Sequence, residues 1–110
     1  MANNFKRKLS SNVGNTFTSV GGYSVGVSTE TTVIGLTVSN KTDSQILVDI
    51  TLDDTSSNTY LIREAPVPSG SSLVVVGGDQ KVVLEAGDEI KVTSSEATSA
   101  DVVVSVLEIT

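Results

Sequence analysis

The stretch from Gln45 to Leu52 says most about what this chain can become. Ile46, Val48, Ile50 and Leu52 alternate with Gln45, Leu47, Asp49 and Thr51. A repeat of two residues is the repeat of a β-strand with one buried face. Ile34, Leu36 and Val38 alternate with Gly35, Thr37 and Ser39 in the same way. So do Ile90 and Val92 with Glu89, Lys91 and Thr93. From Tyr23 onward Val, Ile and Thr dominate, in runs separated by turn formers. The predicted strands are Tyr23–Ser28, Thr32–Ser39, Gln45–Leu52, Thr59–Glu64, Ser72–Val76, Gln80–Glu85, Glu89–Thr93 and Asp101–Ile109.

The intervening turns have a chemical basis. Residues 40–44 (NKTDS) and 53–58 (DDTSSN) carry side chains that hydrogen-bond their own backbone. Pro66 and Pro68 lack the N–H that a ladder needs. Gly77-Gly78-Asp79 and Gly87-Asp88 suit tight turns with positive φ. This spacing of strands and turns, in a chain of 110 residues, predicts one all-β domain. The expected fold is a single antiparallel, jelly-roll-like β-sandwich over residues 23–110. Residues 1–22, polar and without a sustained period, are expected to form an extended arm, with a short helix over Asn4–Ser11 as an alternative.

Charge sharpens that division. Every acidic residue lies after position 29, so residues 1–29 carry +3 and residues 30–110 carry −9. Lys6, Arg7 and Lys8 form a basic cluster flanked by Phe5, Leu9 and Phe17. These six residues are the candidate assembly arm, which would lie on the acidic surface of a neighbouring subunit. The alternative is a solvated tail. Leu73, Val74, Val75 and Val76, together with Val102, Val103, Val104 and Val106, are apolar on both faces. They are the candidate subunit-interface strands, and a homo-oligomer is expected from them.

Several chemistries are poorly supplied. The chain has no cysteine, histidine or tryptophan. No side chain has an ordinary pKa near 7, and neither a histidine nor a thiolate metal site can form. Acidic turn residues (Asp53, Asp54, Asp79, Asp88, Glu89) do not follow the spacing of a calcium loop. Four aromatic residues are too few for a base-stacking platform or a sugar shelf. Three adjacent cations on a body of net −9 do not suit nucleic acid. No apolar run approaches a membrane span, and the polar stretch after the basic cluster argues against a signal peptide. The sequon at Asn40-Lys41-Thr42 reads as a turn. No catalytic residue, cofactor, metal or small-molecule substrate is expected.

Residues 31–110 resemble small virion structural proteins of tailed bacteriophages, notably cyanophages. The resemblance rests on Ile34–Asn40 (IGLTVSN), the P-x-P-x-G turn from Pro66 to Gly70, the L-x-A-G-D turn from Leu84 to Asp88, and the terminal VLEI at Val106–Ile109. It implies a non-enzymatic protein made in the host cytoplasm and built into the virion. Such a protein would form a symmetric homo-oligomer with other virion proteins at the neck, collar, tail or capsid surface. The alternative from a different class is a carbohydrate- or host-surface-binding module.

Overall fold

The computed structural model describes residues 3–77 and 80–110. Nine strands form its framework: β1 (Asn3–Val13), β2 (Thr18–Ser19), β3 (Glu30–Asn40), β4 (Ile46–Asp53), β5 (Asn58–Val67), β6 (Ser72–Val76), β7 (Val82–Leu84), β8 (Glu89–Ser94) and β9 (Ala100–Ile109). One 3-10 turn spans Val20–Gly22. A five-stranded sheet runs β1-β9-β3-β6, with β7 also paired to β3. A four-stranded sheet runs β2-β8-β4-β5, and every pairing is antiparallel. This is the winding of a jelly roll, as the strand spacing predicts.

The two inner faces meet in a core of small branched side chains. Val33, Leu36 and Val38 of β3 oppose Ile46, Val48 and Ile50 of β4, and Val76, Leu84, Val92, Val102, Val104 and Val106 close around them. Among the described residues the buried hydrophobic set contains no aromatic side chain. Valine and isoleucine serve twice here, since the branching that favours extended backbone also packs on a pleated surface. Each such side chain contributes about 1.5–3 kcal/mol when fully buried.

Four expectations need correction. First, residues 3–13 are neither arm nor helix. They form an edge strand in full register with β9, from Asn3 opposite Ile109 to Ser10 opposite Val102. Val13 and Val20, further along the expected arm, are buried in the core. The reason is that β9 is buried on its inner face and needs a partner on its outer side, which the amino-terminal strand supplies.

Second, Tyr23–Ser28 is irregular. Val25 is buried there and exchanges backbone hydrogen bonds with the Gly87-Asp88 turn instead of joining a ladder. Third, β3 carries a bulge between Val33 and Gly35. An extra residue reverses which side chains face inward, so Val33 is buried and Ile34 is half-exposed. Fourth, β5 continues through Pro66. It is an edge strand, so the missing N–H faces away from the ladder. Gly87 has φ +90°, as its turn requires. Part of the Gly77-Gly78-Asp79 turn lies outside the described residues.

Candidate functional site

The basic cluster splits by strand alternation. Lys6 and Lys8 stand opposite Val106 and Val104, whose side chains point into the sandwich, while Arg7 stands opposite Ser105 on the outer face. Lys6 Nζ lies 3.0 Å from Glu108 Oε1, and the Tyr23 hydroxyl donates to Glu108 Oε2 at 2.6 Å. The same hydroxyl is 2.8 Å from Thr31 Oγ1. Lys8 lies over the Tyr23 ring, 5.6 Å from its centre. These contacts clasp β1 to its own sheet. The Tyr23 hydroxyl, and after it Lys6, hold the Glu108 carboxyl below its ordinary range. Burial, and then the hydrogen bond to Glu108, push Tyr23 up to about 12.

A second latch closes the other end of β1. Asn12 sits in a bulge at φ +59°, and its N–H donates to Asp101 Oδ1 at 3.0 Å rather than to the ladder. Lys41 Nζ reaches both Asp101 and the Asn12 side chain, at 3.0 and 2.6 Å. The Asn12 N–H, and after it Lys41, lower the Asp101 carboxyl. Inward-pointing charges on an edge strand also discourage a second strand from adding there.

The outer face of the five-stranded sheet is apolar along two ridges. One runs Phe5, Leu107, Thr32, Val83 across β1, β9, β3 and β7. The other runs Leu9, Val103, Thr37, Val74 across β1, β9, β3 and β6. Between them lies a trough of Arg7, Ser105 and Gly35. Phe5 is 75% exposed, Val74 65% and Val83 61%. Arg7 makes no ion pair among the described residues. Of the candidate interface residues, only Val74 and Val103 are exposed. Val76, Val102, Val104 and Val106 are core, and Leu73 and Val75 pack against it.

The outer face of the four-stranded sheet differs in charge. Phe17, exposed just before β2, joins Leu47, Asp49, Glu64, Thr93 and Asn15 around an open groove. Glu64 occupies a bulge in β5 at φ +52° and donates its N–H to Asp49 Oδ1. No strand prediction could have joined Asp49 to Glu64, because the bulge that aligns them has no marked sequence signal.

The remaining polar motifs are structural. Asn40 is 2% exposed. Its amide donates to Ser44 and Val67 carbonyls and its oxygen accepts from Thr42, so the sequon is a turn. Asp54 accepts the N–H groups of Ser56 and Ser57, which lower its pKa. Among the described residues no three acidic side chains converge to hold a metal; Asp79 lies outside them. A small apolar cavity lined by Val20, Tyr23, Val33, Leu84, Ile90 and Val104 holds about 10 Å³, room for one water-sized sphere.

No protein-family model matches this chain, and no curated protein matches it. A solved chain from Bacillus endospore appendages, described as forming a novel family of disulfide-linked pili, is similar in fold. The TM-score is 0.58 at 12% identity, covering 99% of this chain and 87% of that one. A likeness at that identity shows the fold. The phage virion function expected from the sequence resemblance is corrected here: the solved neighbour is a bacterial appendage protein, not a phage protein, and nothing supports a place in a phage particle.

Proposed function

We propose that this chain is a non-enzymatic structural subunit that assembles with copies of itself, in the manner of an appendage protein. The observation that carries this reading is the outer face of the five-stranded sheet. Phe5, Leu9, Val74, Val83 and Val103 stand exposed along two ridges of one face, and large apolar side chains gathered on one exposed face mark an interaction surface. Glu108 and Asp101 of β9 serve the clasps that hold β1. The fold neighbour, whose described role is to form pili, agrees with this reading.

Association through these residues is non-covalent, because the 110 residues contain no cysteine. Sedimentation and negative-stain electron microscopy of the purified chain test the proposal. The expected result is concentration-dependent oligomers or filaments, unchanged by a thiol reductant. A monomer throughout the micromolar to millimolar range overturns it.

A further inference from the structure

We propose that the contact between copies is head-to-tail: the outer face of the five-stranded sheet of one copy seats on the outer face of the four-stranded sheet of the next. This rests on the self-assembly reading above and names the surfaces that carry it.

Three features of the two faces match. The first face presents two apolar ridges about a trough that ends at Arg7 on the edge strand β1, and Arg7 has no ion-pair partner among the described residues. The second presents Phe17 and Leu47 along a groove that also holds Asp49 of β4 and Glu64 of the edge strand β5. The groove's acids form no ion pair among the described residues. Two cations of that sheet are engaged elsewhere, Lys91 with Asp53 at 3.3 Å and Arg63 over the Tyr60 ring. An arginine seated between apolar ridges and a carboxylate pair set between apolar side chains can desolvate together, which strengthens their attraction.

Size limits the strength of each contact. The strands of the four-stranded sheet have 2, 6, 8 and 10 residues, so at about 4.8 Å between strands that face presents on the order of 400 Å², about half of one partner's share of a standard interface, which suits a weak contact repeated along an assembly. The two surfaces lie on opposite sides of the sandwich, so the contact does not close on a pair. It propagates into a ring or an open filament. Each copy adds two sheet layers, so a straight stack advances about 20 Å per subunit.

Arg7→Glu and Glu64→Arg test this, since both side chains are exposed. Circular dichroism and thermal melting should show both variants folded as the wild type. Arg7→Glu alone sets a third carboxylate against Asp49 and Glu64 and should weaken association at least tenfold, while Glu64→Arg alone sets a second cation beside Asp49 against Arg7 and should weaken it by a smaller factor. An equimolar mixture should regain it. In the mixture the two variants alternate along the stack, and every contact again holds one cation and two carboxylates, as in the wild type. Half of the contacts keep the native sense of Arg7 on Glu64, and the other half carry the same pair of charges reversed.

A wild type that never associates overturns both this contact and the self-assembly reading. Association that survives unchanged in both variants overturns this contact alone and leaves the self-assembly reading standing. Loss with Arg7→Glu but not with Glu64→Arg overturns it in favour of a different surface seated on the five-stranded sheet. A mixture that fails to regain association also overturns it.

Discussion

Glu108 shows how much one side chain holds in this protein. It lies 8% exposed at the end of β9 and joins Lys6 of β1 to Tyr23. Replacing it with Gln keeps its shape and removes its charge. Urea unfolding at neutral pH should then show a loss of about 1–2 kcal/mol. The pH dependence has a definite sign. Glu108 and Asp101 both have lowered pKa values in the folded protein. Their contribution is therefore present above the unfolded carboxylate values near 4 and is lost as pH falls through the lower folded values. Tyr23 acts in the opposite sense: raised to about 12, it adds stability that is complete below about pH 10 and is lost as pH rises to 12. Wild type should lose more stability than Glu108→Gln between about pH 7 and pH 3, and more than Tyr23→Phe between about pH 9 and pH 12. Equal losses would mean the clasp does not form. Gly21 is a second single-residue constraint. At φ +61° its Cβ would meet Lys8 Cβ at 2.7 Å, so Gly21→Ala should cost about 1–3 kcal/mol.

Strand β1 is the element on which both the fold and the proposed contact depend. Its inner side covers the core beside Val104 and Val106, and its outer side carries Phe5, Arg7 and Leu9. Substitutions should separate the two roles. Val13→Ala removes buried surface and should cost about 2 kcal/mol by thermal or urea unfolding. Phe5→Ser, on the exposed ridge, should leave stability within about 0.5 kcal/mol. Deleting residues 2–13 should do far more than remove a tail. It strips β9 of one of its two ladder partners and exposes a long apolar edge, so the truncated protein should aggregate or fail to give a cooperative melt. A truncated chain that melts like the wild type would show that β1 does not belong to its own sheet.

Across the whole molecule, one core serves both sheets. Unfolding should therefore be a single cooperative transition, and Ile50→Ala, at the centre of β4, should lower stability by about 2–5 kcal/mol. The ladder between β1 and β9 joins residues at opposite ends of the chain, from Asn3–Ile109 to Val13–Ala100. Contacts so distant in sequence form only after a large loss of chain entropy. Refolding followed by stopped flow should accordingly fall in the millisecond-to-second range of β-sandwiches.

Local chemistry by itself determined most strands and their turns. The alternation in β4 and β8 and the residues of the 40–44, 53–58 and 87–88 turns act between near neighbours, so they were legible without a fold. The sandwich followed from their spacing. Three things were decided only in three dimensions. The polar segment at residues 3–13 became a strand because β9 offered it an unpaired edge, an opportunity about a hundred residues away. The bulges at Ile34 and Glu64 changed which side chains face outward, and a bulge depends on the partner strand as much as on its own residues. The basic cluster divided into two clasping lysines and one outward arginine. Composition gave all three the same charge, but the pleat of β1 set them on opposite faces, and only the folded sheet placed Glu108 within reach of Lys6.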